Sequence, residues 1–154
     1  MIRISDYRDY WVNVMERLPI IKRVVFARTE DELRDRIKKI ANKEVFLVSV
    51  IPSADVFSPD HDNIRERETC IVYILIKVAR SNQTESDVIT DMQVTQDTIT
   101  QLKRHLLADS ENHDFQYHQF LKEIDFAGMH TDPEFNYLEC DGYSISFKLI
   151  TNNF

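Results

Sequence analysis

Apolar positions along the chain switch between a helical and an extended period, and the switches mark out its elements. Tyr7, Trp11, Val14 and Leu18 recur at helical spacing, which predicts a helix over residues 6–18 with Ser5 as N-cap and Pro19 as stop. Residues 20–27 are rich in β-branched side chains around a basic pair, Lys22 and Arg23, and predict a strand. Thr29 followed by Glu32 has the spacing of a capping box, so a second helix runs from there to about Asn42. On it Glu30–Arg34, Glu32–Arg36 and Asp35–Lys39 stand acid before base at four-residue spacing, which supports an exposed face. Leu33, Ile37 and Ile40 form its narrow buried stripe.

Residues 45–51 and 69–80 are apolar without alternation, the signature of strands covered on both faces. Between them residues 52–68, with Pro52 and Pro59, read as a long loop or hairpin arm, longer than most connections in a compact domain. Ser86 caps a long helix over 87–107, with Val88, Met92, Thr95, Ile99, Leu102 and Leu106 as its seam. A polar stretch at 109–118 follows, then a strand at 120–127 and a polar connection at 129–139. In the last strand Tyr143, Ile145, Phe147 and Leu149 alternate with Ser144, Ser146 and Lys148, so one face is buried and the other wet. The order predicts an α+β domain spanning 1–154. Its core is a ferredoxin-like β-α-β-β-α-β arrangement with an added N-terminal helix and C-terminal strand. The helices are expected on one face of a mixed or antiparallel sheet.

Glycine narrows the chemistry. Gly128 and Gly142 are the only two, and neither a phosphate-binding loop nor a dinucleotide fingerprint can be written with them. The central strand also lacks the glycine- and aromatic-containing pattern of an RNA-recognition motif. With 43% hydrophobic and 29% charged residues, the composition is that of an ordinary globular chain. Its apolar runs are too short to cross a bilayer, and its first residues lack the pattern of a secretory signal. Cys70 and Cys140 fall in strand-like stretches and read as buried thiols in a reducing, cytoplasmic setting. The net charge of −7 is uneven. Residues 1–50 carry 11 Lys/Arg against 8 Asp/Glu, and the remainder carries 8 against 18. That acidic part argues against nucleic-acid binding, whereas opposite charge at the two ends suits head-to-tail contacts between copies, or simply two solvated surfaces.

No residue set is assigned to catalysis, a cofactor or a metal. Asp60, His61 and Asp62 offer three ligands but lack the further oxygens and glycine of a calcium loop. His113 and His118, flanking Asp114, are five apart rather than the four of a zinc helix motif. His105 reads as a surface residue of the long helix. His130 stands near Asp132 and Glu134 without an identifiable nucleophile. Glu123, Asp125, Glu139 and Asp141 are two pairs of carboxylates on adjacent strands. Such a set suits two divalent ions, or simply the solvent face of a half-wet sheet.

The leading helix, the strand pair around 52–68, the single long helix and the closing strand ending Ser146-Phe147-Lys148-Leu149 together resemble the tail-terminator and tail-completion proteins. These belong to tailed phages and contractile injection machines. The resemblance implies a non-catalytic ring subunit that caps or joins a tail tube. Its partners would be copies of itself and tube, sheath or neck proteins, with no membrane and no sequence-specific nucleic acid. It implies assembly in the cytoplasm and residence in a virion or tail-like particle. Within the 52–68 arm, Phe57, Ile64, Arg65 and Arg67 are the expected interface residues. The alternatives are a divalent-metal hydrolase built on the four carboxylates and a ferredoxin-like module that binds a small molecule or protein.

Overall fold

The computed structural model describes residues 2–60 and 63–151, and the side chains of all of these except 57–60, 63 and 64. The chain opens with helix α1 (Ile4–Arg17), strand β1 (Val24–Ala27), helix α2 (Glu30–Ile37) and strand β2 (Val45–Val50). A hairpin of β3 (Ser53–Asp60) and β4 (Asn63–Lys77) follows. The long helix α3 (Glu85–Glu111) and the short α4 (His118–Leu121) lead to a second hairpin, β5 (Ile124–Tyr137) and β6 (Cys140–Thr151). The fold is α+β, with a mixed six-stranded sheet and a leading helix.

The sheet order is β1-β2-β4-β6-β5, with β3 on the same side of β4 as β2 but further along it. Only β1 and β2 are parallel, joined by the α2 crossover. This corrects the ferredoxin-like expectation, because in that split arrangement another strand separates two strands joined through a helix. Here β2 lies directly beside β1. The helices also do not share one face. Along β2, Val45 and Leu47 pack with α1 and α3, while Phe46 and Val48 pack with Leu33 and Ile37 of α2. The unalternating apolar run of β2 is the cause, since a strand apolar on both sides must be covered on both sides.

Local signals explain most boundaries. Thr29 accepts from Glu32 N at 3.2 Å, and Glu32 accepts in turn from Arg28 N and the Arg28 and Arg36 side chains. The cap of helix α3 is Thr84, two residues before the expected Ser86, with Thr84 and Asp87 forming a reciprocal capping box. Helix α1 begins at Ile4 with no side-chain cap, because the chain is anchored just ahead of it: the buried Glu68 carboxylate accepts from Ile2 N. Strand β1 is shorter than residues 20–27 because 18–21 close a turn, with Ile21 N donating to Leu18 O.

The larger core lies between the sheet and α1/α3. Trp11, Tyr10, Val14, Leu102 and Leu106 are completely buried there. Tyr7, Tyr10, Phe115, Phe120 and Phe147 meet their neighbours edge-on at centroid separations of 5.0–6.4 Å, the geometry that ring quadrupoles favour. The aromatic stripe of the first helix is therefore core. The buried stripe of α3 differs from the expected seam: it runs Asp91, Thr95, Thr98/Ile99, Leu102, Leu106 and Asp109. Both acids are neutralised from outside the helix, Asp91 by Lys43 and Asp109 by Arg17.

Candidate functional site

The stretch at 52–68 is a strand hairpin rather than a loop. Ser53↔Thr69 through Phe57↔Arg65 pair in register, continuing the β2–β4 ladder past a break at Ile51-Pro52. Proline has no N–H to give a ladder, so Pro52 and Pro59 are tolerated on this edge. On its other side β4 pairs with β6 from Lys77↔Cys140 to Glu66↔Thr151, the last described residue of β6. Val56, 64% exposed, stands on this arm.

The four expected interface residues divide. Phe57 and Ile64 fall on β3 and β4, and their side chains lie outside the described ones. Arg67 is half-buried on β4, opposite Asp55. Arg65 reaches Glu123 at 3.2 Å and ties the arm to the entry of β5. Asp60 lies at the end of β3, and His61 and Asp62 lie outside the described residues.

The four carboxylates do not converge. Glu123 precedes β5 and pairs with Arg65, and Asp125 accepts from Gly128 N at 3.0 Å. Asp141 is 1% exposed and accepts from Arg80 at 2.7 Å and from Asn136 N at 2.8 Å. Glu139 occupies the β5–β6 turn with φ 65°. Asp125 lies opposite Lys148 on β6, seven residues from Asp141 and so roughly 23 Å away along the strand. This overturns the picture of a carboxylate cluster on adjacent strands.

Two histidine groupings do form. His113 Nδ1 lies 3.1 Å from His118 Nε2. His130 meets Asp132 at 3.1 Å, with both side chains more than half exposed, and Glu134 accepts from Ser144 at 2.7 Å. Among the described residues no three His, Cys, Asp or Glu side chains gather as a metal site. His105 is half-buried against Arg17 at 3.2 Å rather than a surface residue. Cys70 and Cys140 are fully buried free thiols, and burial pushes both up to about 12.

Sequence reasoning did not foresee β5 as one long outer strand. Its residues are mostly exposed, and Gly128 and Pro133 interrupt the apolar pattern that marks a strand. Phe126 and Phe135, 36% and 62% exposed, stand on it with Asp125, Asp132 and Glu134. At the other extreme of the sheet, β1 is flanked by Lys22, Arg23 and Arg28. Among the described residues no strand pairs with the outer edge of β1, β3 or β5. A separate cleft of about 470 Å³ lies between α2 and the β5–β6 turn. That turn holds Asn136, Leu138 and Glu139 at positive φ, and Tyr137 stacks on Tyr73 at 5.2 Å beside it.

No helix among the described residues is long and apolar enough to cross a membrane. Compared with protein families, curated proteins and solved structures, the chain matches none of them.

Proposed function

We propose that this chain is a structural ring subunit that caps or joins a tail-like tube and acts without catalysis. The observation that carries the reading is the β3–β4 hairpin, whose outer strand β3 pairs on one side with β4 and, among the described residues, with no strand on the other, and on which Val56 is exposed. An open edge of this kind is a template for pairing with another chain, and a monomer gains nothing from leaving it bare. The element order that resembles tail-terminator proteins supports the same role. Virion residence and tube, sheath or neck proteins as partners belong to this reading.

The test replaces residues 58–64 with Asn-Gly, a turn suited to a two-residue hairpin. The expected result is a folded monomer that no longer assembles. An oligomer of unchanged mass removes the arm from the account.

The cleft beneath α2 favours a second reading, a small-molecule binding module. It would show as a ligand-dependent rise in melting temperature in a chain that does not assemble.

A further inference from the structure

We infer that copies of this chain join head to tail through the two terminal strands of the sheet, the β5 edge of one copy against the β1 edge of the next. This rests on the ring reading and names the surface that closes the ring. β1 and β5 are the two ends of the sheet path, and both outer edges are open among the described residues.

β1 runs parallel to β2, and each of the next steps, to β4, β6 and β5, is antiparallel. β5 therefore runs opposite to β1. A neighbour displaced sideways along the sheet presents its β1 antiparallel to β5, the arrangement with the better ladder.

Lys22, Arg23 and Arg28 stand immediately beside β1 at its two ends, with Glu30, Asp31 and Glu32 following in the first turn of α2. Arg23 meets Glu44, while Lys22 Nζ donates to the Pro19 carbonyl. β5 carries Asp125, Asp132 and Glu134 with no lysine or arginine. Exposed Ile20 beside β1 and exposed Phe126 and Phe135 on β5 supply apolar contact. Two acidic β5 edges would repel each other, which disfavours two-fold contact there, and heterologous contacts close into a ring where the rotation between copies permits.

Pro133 and two register breaks bar continuous addition along β5. β1 offers only four residues, so a short stretch on one side of Pro133 is enough.

The experiment uses two charge-reversed chains, Lys22→Glu/Arg28→Glu and Asp132→Lys/Glu134→Lys, each weighed by light scattering beside the wild type. Each variant alone is expected at the 18.3 kDa monomer mass. An equimolar mixture is expected to assemble again, into a ring with an even number of subunits, because every contact in an alternating ring then joins opposite charges. Recovery on mixing also shows that both variants fold. A wild-type oligomer with both variants still assembled overturns this interface and leaves the ring reading standing. Two monomeric variants that do not assemble on mixing overturn it as well. A wild type that stays monomeric overturns both.

Discussion

Arg17 holds Asp109 through two hydrogen bonds, of 2.9 and 2.6 Å, and so fastens the end of α1 to the end of α3. Tyr10 donates to the same carboxylate at 3.0 Å, and the Arg17 guanidinium lies 5.3 Å from the centre of the Phe115 ring. The planar fork of arginine suits this two-point contact, which lysine cannot make. Because Asp109 is 5% exposed, removing its partner leaves a buried charge.

Arg17→Ala is therefore expected to destabilise the fold by about 3 kcal/mol, the lower part of the range for breaking a buried pair. Arg17→Lys should recover only part of that. Urea denaturation checks both, and a neutral Arg17→Ala would show that the pair carries no stability.

His105 sets a pH dependence on the same contact. Burial, then the neighbouring Arg17, holds its imidazole below the usual 6.5, and the neutral ring accepts from Arg17 at Nδ1. The unfolded chain thus takes up this proton more readily than the folded one. The contribution is complete above about pH 6.5 and is lost as pH falls through the folded value. Melting curves from pH 7.5 to 5 should fall more steeply for the wild type than for His105→Gln; parallel curves would contradict this.

Gly142 is required by close approach. A Cβ there would lie 2.1 Å from Ile74 O and 3.0 Å from Leu75 Cα, both backbone atoms of the central strand. Gly142→Ala is expected to cost about 3 kcal/mol, or roughly 10 °C in melting temperature. At Gly128 the obstruction is the Asp125 side chain, which can turn away. Gly128→Ala should thus stay within about 1 kcal/mol of the wild type. Equal losses at the two positions would count against the β4–β6 register.

Cys70 and Cys140, buried and held protonated, should resist a thiol reagent at pH 8 until the chain is unfolded. Rapid labelling of either in the native protein would contradict their place in the core.

What the sequence made legible was local. Thr29 and Glu32 announced α2, the apolar runs announced β2 and β4, and the alternation of Tyr143 to Leu149 announced β6. Where two signals conflicted, tertiary pairing decided. Pro52 and Pro59 marked a loop, yet edge strands tolerate proline: the pairing to β4 breaks at Pro52, resumes at Ser53, and shifts register around Pro59. Residues 120–127 read as a strand, but Phe120 and Leu121 turned inward on α4 to join the core. Asp91 and Asp109 broke the apolar seam of α3 by sequence and nevertheless face inward, because Lys43 and Arg17 arrive from distant segments. The exposed residues of the candidate surface carried the weakest signal. An outer strand has no buried face to impose a period, so β5 was hidden among polar residues, and the sheet order that sets it opposite β1 follows from pairings no local pattern records.

Self-assembly shows in the molar mass of the purified chain in solution, measured by light scattering over a concentration series. A discrete closed oligomer is expected, with a mass that is a whole multiple of 18.3 kDa and does not grow further with concentration. A strict 18.3 kDa monomer at every concentration would contradict it.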